Sequence, residues 1–436
     1  MELKTKLEIL ADAAKYDASC ASSGTTKRDS SGSTTALGSS GGAGICHSYA
    51  PDGRCISLLK VLLTNACIYD CHYCINRRSS DIQRARFSVA EVVQLTLDFY
   101  KRNYIEGLFL SSGIVRNPDY TMERVVEVAR RLRVEHDFRG YIHLKTIPEA
   151  SQELIDEAGE FADRISINIE LASQTSLDRL APEKDISRTQ KAMGGIRTRI
   201  DADAERKHAD RQAGRRRTKK DRHFAPAGQS TQMIVGADAS PDRQLLERAD
   251  VLYGAYRLKR VYYSAFSPIP SASPILPLKS PPLVREHRLY QSDWLMRFYG
   301  YSVEEIAPNS NPNLDLDLDP KLSWALRSRD VFPVDVNQAP RELLLRIPGI
   351  GVRSVNRMVQ IRRWTSLRLE DLQKLGISLK KCLPFVITAN HHPARLGLDS
   401  DRLRSRFLPG PQQIEFTFSD TDNETQAKSS AITGEI

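Results

Sequence analysis

The sequence predicts an α/β fold: a partial (βα)6 barrel followed by a small all-α unit. Three observations carry this. From residue 58 to residue 266, six short apolar runs alternate with stretches of helical periodicity. At 267–282 the alternation stops in a segment with six prolines in sixteen residues. Beyond it, only helical patterns follow. Repeated βα units form a parallel sheet with right-handed crossovers. Six units suit a partial barrel rather than a closed eight-stranded one, with functional groups at the C-terminal ends of the strands.

Residues 1–17 read as a short amphipathic helix, and 20–45 are rich in Ser, Gly and Thr. That composition buries too little apolar surface to order itself, so it predicts a flexible loop. LLKVLLTN (58–65) is a continuous apolar run ending in turn residues, as a buried parallel strand requires. Ser88 with Glu91 forms a capping box for a helix over 88–103. GLFLSS (107–112) is the next strand. A Thr-capped helix covers 121–136, and YIHLKTI (141–147) is a strand. A helix over 148–160 opens on Pro148. RISINIEL (164–171) alternates with period two, and helices follow over SLDRLAP and from Ile186 to about Arg199. STQMIVGA (230–237), a helix over 241–256 and the strand RVYYSAF (260–266) complete the barrel. Further helices are expected at 284–299 and 320–328, then a compact helical unit at 334–390. The expected division is an N-terminal extension (1–56), the barrel (57–283), a helical connector (284–333), the helical unit (334–390) and a disordered tail (409–436).

The 436 residues are 40% hydrophobic and 27% charged, ordinary for a soluble globular protein. No apolar run reaches the ~18–20 residues of a membrane span, and the N-terminus lacks a signal-type apolar region. A cytoplasmic protein with no membrane partner is expected. The net charge of +9 favours polyanionic partners such as nucleic acid. The excess is local: residues 197–223 hold eleven Lys/Arg against five Asp/Glu. Six of the seven cysteines lie in the first 74 residues. An odd, clustered set without a secretory signal points to metal or Fe–S ligation rather than disulfides.

The sharpest signal is TNACIYDCHYCINRRS, a C-x3-C-x2-C spacing at Cys67, Cys71 and Cys74 directly after the first apolar strand. A [4Fe–4S] cluster normally takes four thiolates, so three leave one iron open to a ligand. The alternative is a zinc site with His72 as fourth ligand. On the fourth strand, Ser166, Asn168 and Glu170 alternate toward one face, where buried polar groups need partners.

This spacing at this position resembles the radical S-adenosylmethionine superfamily. The resemblance implies a TIM-like radical-SAM barrel. Its open iron would take the methionine amino and carboxylate groups of S-adenosylmethionine, and reduction of the sulfonium would release a 5′-deoxyadenosyl radical. It also implies cofactor contacts. Tyr73 would meet the adenine. The turn Ser111, Ser112 and Gly113 would bind the methionine amino group through its backbone, although the family typically has Gly-Gly-Glu there. Asn168 and Glu170 would meet the ribose and carboxylate, with Lys145 as a carboxylate partner or a rim charge. Gln232 and the turn at Gly236 resemble the adenine-binding strand. Cys20, Cys46 and Cys55 are candidates for an auxiliary Fe–S cluster or are ordinary buried thiols.

The segment VNQAPRELLLRIPGIGVRSVNRMVQIRR (336–363) reads as helix, tight turn, helix. It resembles the helix-hairpin-helix motif of DNA-processing proteins. Gly349 and Gly351 free the backbone to approach a phosphate, and Ile350 plugs the core beneath. Arg353, Arg357, Arg362 and Arg363 supply cationic reach. The alternative is a helical hairpin for protein docking. The basic run 206–223 either extends a DNA track or is a solvated helix face.

Together, a radical-SAM barrel and a helix-hairpin-helix unit resemble putative DNA modification/repair radical-SAM proteins, on KYDASC, GICHSYAPDGRCISLLK, YIEGLFLSSGI and AGQSTQMIVGAD as well as the cluster motif. That resemblance implies action on a base or sugar of DNA, a uracil-DNA-glycosylase-like partner, and an electron donor such as flavodoxin or ferredoxin. An RNA- or tRNA-modifying radical enzyme and a non-catalytic Fe–S DNA-binding protein are the alternatives.

Overall fold

The computed structural model describes residues 1–14, 45–49, 55–215, 223–269, 272–393, 395–398 and 400–408. The Ser/Gly-rich stretch, most of the basic run's second half and the predicted tail lie outside the described residues. The chain divides into two compact units: 1–238 with 251–280, and 239–250 with residues from 281 onward.

The first unit is a curled, open sheet of seven strands in sequence order: β1 (Ile45–Tyr49), β2 (Cys55–Leu62), β3 (Gly107–Ser111), β4 (Tyr141–Lys145), β5 (Arg164–Ser166), β6 (Gln229–Val235) and β7 (Arg260–Ala265). β2 to β7 pair in parallel, which is the expected partial (βα)6 barrel. β1, not expected, adds to the edge antiparallel to β2, with Cys46 opposite Leu58. Its five residues follow directly on the Ser/Gly-rich stretch and carry too little alternation to show a strand.

Helices α1 (Leu3–Ala14), α2 (Val89–Lys101), α3 (Pro118–Val134), α4 (Gln152–Phe161), α5 (Gln174–Leu180), α6 (Ile186–Gln212) and α7 (Asp242–Tyr256) fill the connections. α2 has the full Ser88/Glu91 capping box. α4 starts four residues later than Pro148, because Ala150 first closes a turn on Ile147 and Ser151 is extended at the N-cap. α6 runs on past Arg199 to Gln212. Its first half buries Ile186, Ala192, Met193 and Ile196, and charges pair along the exposed remainder, Arg197 with Asp201 and Arg206 with Asp203, which supports a stretch without an apolar stripe.

Strand register sorts the side chains. Leu108, Leu110, Ile142 and Leu144 are fully buried on one face. The other face carries polar and basic groups. Lys60 lies over the Phe109 ring, which meets His143, while Arg164 donates to the Tyr262 hydroxyl and Arg260 lies over the Tyr262 ring. β5 corrects the expected strand over 164–171. It ends at Ser166, and Glu170 re-pairs with Met233 as an isolated bridge. Glu170 sits at φ +65°, a left-handed conformation that turns the chain out of the pleat.

In the second unit, α8 (Leu283–Trp294) continues into one π-turn, Leu295–Tyr299, and is followed by α9 (Val303–Ile306) and α10 (Pro320–Arg327). The expected helical unit is present, and it also carries one short strand pair, β8 (Val334–Asp335) parallel to β9 (Val386–Ile387). Two-residue strands carry no readable periodicity. Between them lie α11 (Arg341–Leu344), α12 (Val352–Ile361), α13 (Leu369–Lys374) and α14 (Leu379–Cys382). The turn from α11 to α12 has Gly349 at φ +77°, and Ile350 is fully buried. Lys321 of α10, itself fully buried, donates to the Ile350 carbonyl at 2.6 Å.

Burial pushes Lys321 down to about 7. The unfolded chain therefore holds this proton up to about pH 10.5 while the folded unit releases it above about 7. Stability should rise between those values, by at most about 1.4 kcal/mol per pH unit, and the penalty is fully present below pH 7. Urea unfolding at pH 7 and pH 9 should show this rise, and Lys321→Met should flatten it.

Candidate active site

Cys67, Cys71 and Cys74 all lie on the loop after β2, at the C-terminal end of that strand. The loop has little secondary structure of its own and is tied down from several sides. The Ile68 amide donates to the Ile114 carbonyl beyond β3, and the His72 amide to the Leu180 carbonyl at the end of α5. The Asp70 amide donates to Glu183 Oε1 at 3.0 Å, and Asp70 in turn accepts from the Ser79 amide and hydroxyl.

One side chain closes the loop on itself. The Arg84 guanidinium donates to four carbonyls, those of Asn65, Asn76, Arg77 and Ser80, at 2.5–3.0 Å. Asn65 adds a reciprocal pair: its Nδ2 donates to the Gln83 carbonyl and its Oδ1 accepts from the Ala85 amide. Gly113 completes the support. A Cβ there would lie 2.3 Å from the Ala66 carbonyl oxygen, so only glycine lets the turn after β3 press against the loop.

The thiols suit an iron–sulfur cluster. Cys67 Sγ accepts from the amides of Tyr69 and Ile114, each at 3.4 Å, and such bonds stabilise a thiolate. Burial pushes the Cys71 thiol up to about 12, and burial also raises Cys74. Cys71 feels both Cys67 and Cys74, and Cys74 feels Cys67, so the three are grouped. Buried thiolates need positive charge, and ligation of iron supplies it. Among the described residues, no three His, Cys, Asp or Glu side chains stand close enough to hold one metal ion. A four-iron cluster asks for something else, one thiolate at each of three separate irons.

Around the loop stand several charges and buried polar groups. Glu170 pairs with Lys184 at 2.7 Å. Burial alone would lower Lys184, but the Glu170 carboxylate holds it well above its ordinary value. Asn168 Nδ2 donates to Gln232 Oε1 at 3.2 Å. The hydroxyls of Tyr73 and Ser111 and both Glu149 oxygens are buried without a hydrogen-bond partner. Ser112 Oγ donates to the Gly113 carbonyl, Lys145 ends β4 opposite Ser166, and Gly236 follows β6 at φ +78°. Orphaned buried polar atoms at the strand ends are what a polar ligand would satisfy.

Sequence reasoning missed Arg84, Glu149, Glu183 and Lys184. Arg84 and Lys184 act through carbonyls and a carboxylate distant in sequence, and no local pattern signals them. Of the auxiliary-cluster candidates, Cys46 is buried against Ile56, Leu58 and Phe109, Cys55 opens β2, and Cys20 lies outside the described residues. In the second unit, Arg353, Arg357 and Arg363 are exposed. Arg362 is not a free cation: it donates to the Val336 and Ala339 carbonyls at 3.2 and 2.6 Å.

Two outcomes are expected. Anaerobically reconstituted protein should bind about four irons per chain, and Cys71→Ala should abolish that iron and its visible absorption. Arg84→Lys replaces a fork with a point charge that cannot reach four carbonyls. It should weaken iron retention against a chelator by about ten- to a hundredfold while the far-UV circular dichroism stays unchanged.

Residues 61–201 match the family model described as the Radical SAM superfamily. Among solved structures, the FeFe-hydrogenase maturase HydG from Carboxydothermus hydrogenoformans aligns at 15% identity over 52% of this chain and 48% of its own, with a TM-score of 0.39. Methylornithine synthase (PylB) aligns at 16% identity over 54% of this chain and 60% of its own, with a TM-score of 0.38. The chain thus spans about half the length of HydG. No curated protein matches it. Among the described residues, no helix is long and apolar enough to cross a membrane. Residues 61–201 thus form a radical SAM superfamily domain, with Cys67, Cys71 and Cys74 inside the matched region.

Proposed function

We propose that this protein is a radical S-adenosylmethionine enzyme that uses a [4Fe–4S] cluster and acts on DNA, modifying or repairing a base or sugar. The observation that carries the reading is the turn between α11 and α12. Gly349 takes φ +77°, Ile350 is buried beneath it, and α12 opens at Gly351 with no side-chain cap. Uncapped amides at a helix start, with Arg353 and Arg357 exposed on the first two turns, suit a phosphate oxygen. Such contacts are independent of base sequence. The net charge of +9 agrees with a polyanionic partner.

In this reading Cys67, Cys71 and Cys74 hold the cluster. When bound, the cluster and S-adenosylmethionine supply a 5′-deoxyadenosyl radical. The chain's own residues bind and orient. Tyr73 offers a ring beside the cluster loop, and the backbone of 111–113 offers carbonyls to the methionine amino group. The Asn168–Gln232 amide pair and Glu170, oriented by Lys184, meet the ribose and carboxylate. A base within duplex DNA has to be flipped, or presented in a single strand, to reach the barrel mouth. A uracil-DNA-glycosylase-like protein and a flavodoxin or ferredoxin are the proposed partners.

Anaerobic turnover of the reduced holoenzyme with S-adenosylmethionine tests this. DNA oligonucleotides should raise 5′-deoxyadenosine formation and leave a nucleoside of altered mass, and Cys71→Ala should remove both. Stimulation by tRNA but not DNA would move the substrate to RNA. Absence of 5′-deoxyadenosine with either would sink the DNA and RNA readings together.

A further inference from the structure

Trp364 is 90% exposed, the most exposed of the large aromatic side chains among the described residues. A single exposed apolar side chain is ordinary on a protein surface. Its surroundings make this one different. The Trp364 amide donates to the Ile361 carbonyl at 2.9 Å, so the residue extends α12 by one tight turn. That turn is anchored: Arg362, two residues earlier, is held by the carbonyls of Val336 and Ala339. The indole therefore stands on a fixed base rather than on a loose loop.

Helical spacing sets its neighbours. At 100° per residue, positions 353, 357 and 360 of α12 fall within about 60° of one another, and Trp364 stands one tight turn beyond the helix end. All four are exposed: Arg353, Arg357, Gln360 and Trp364. Val355 and Met358, both fully buried, lie on the opposite side. One stripe thus runs from two guanidinium groups through an amide to an indole, with exposed Arg363 beside it. Its length from residue 353 to 364 is about 16 Å at 1.5 Å per residue, close to five nucleotides at the 3.4 Å spacing of stacked bases.

Cations in line with an exposed aromatic are the two components of single-strand recognition. The cations track phosphates, and the ring stacks on a base that is not already stacked on its neighbours. Duplex DNA offers the phosphates but keeps its base faces covered. A protein partner would meet a stripe whose own residues, Arg353, Arg357, Gln360 and Trp364, include no carboxylate and no apolar side chain besides the indole. We propose that Trp364 is a stacking platform for an unpaired base, and that the stripe of α12 binds single-stranded DNA in preference to duplex. This rests on the DNA reading above and narrows its substrate to a site with an unpaired strand.

The test uses the full chain with its cluster and a labelled 12-nucleotide strand, alone or annealed to its complement. Stacking contributes about 1–3 kcal/mol per base, so Trp364→Ala should weaken single-strand binding about tenfold or more while duplex binding stays within twofold. Trp364→Phe should restore most of the loss. The single strand should also quench emission from Trp364, and Trp364→Ala should remove that quenching, since Trp324 is buried and Trp294 half-buried. Arg353→Ala with Arg357→Ala should weaken both DNA forms. If Trp364→Ala changes neither form, or both alike, the stacking inference is wrong and the DNA reading survives. If the wild-type chain binds neither form, both are wrong.

Discussion

Three thiols must be held near one another, largely out of water, on a loop that has almost no secondary structure. The rest of the barrel unit answers to that constraint. Buried thiols resist ionisation, which shows in Cys71 pushed up to about 12. Before iron arrives, the loop gains nothing from bringing them together. Its shape has to come from elsewhere, and Arg84 supplies most of it. One guanidinium gathers carbonyls from both ends of a sixteen-residue span, 65–80, so the span is closed by hydrogen bonds to the backbone rather than by packing. Asp70 with Glu183, and the amides of Ile68 and His72, tie the middle of the loop to neighbouring βα units.

The same logic governs the charges at the strand ends. Glu170 and Lys184 are paired at 2.7 Å in a largely desolvated setting, where removing either partner would strand a buried charge at a cost of roughly 3–5 kcal/mol. The pair also fixes a backbone anomaly. Glu170 adopts a left-handed conformation that ordinary residues avoid, and its amide and carbonyl are both taken by β6, from Gln232 to Ile234. Backbone strain of this kind persists only where surrounding contacts hold it. Here it lies four residues beyond the end of β5, with the carboxylate close enough to act on Cys71 and Cys74.

Much of this was legible in the sequence where one residue type repeats at a fixed period or spacing. The cysteine spacing, the apolar run before it, the Ser88/Glu91 capping box and the βα alternation all satisfy that condition. What escaped was long-range or irregular. Ser166, Asn168 and Glu170 looked like one continuous face because period two is blind to a positive φ at its last position. Arg362 looked like a free cation because nothing in the segment VNRMVQIRR (355–363) reveals that Val336 and Ala339 hold it. Arg84 and Lys184 sit in unremarkable stretches, and their partners are defined only once the chain has folded. β1, β8 and β9 are too short to show a pattern at all.

Gly113 has a consequence for how such a site can diversify. The turn after β3 touches the cluster loop through an oxygen that leaves no room even for a methyl group. The two segments therefore behave as one rigid block, without a hinge between them. Whatever is gripped by the turn keeps a constant spacing from the thiols, independent of any movement elsewhere in the chain. In the function proposed above, that spacing is then set by the backbone rather than by side chains. Side chains farther along the barrel rim are free to change with the substrate without disturbing it.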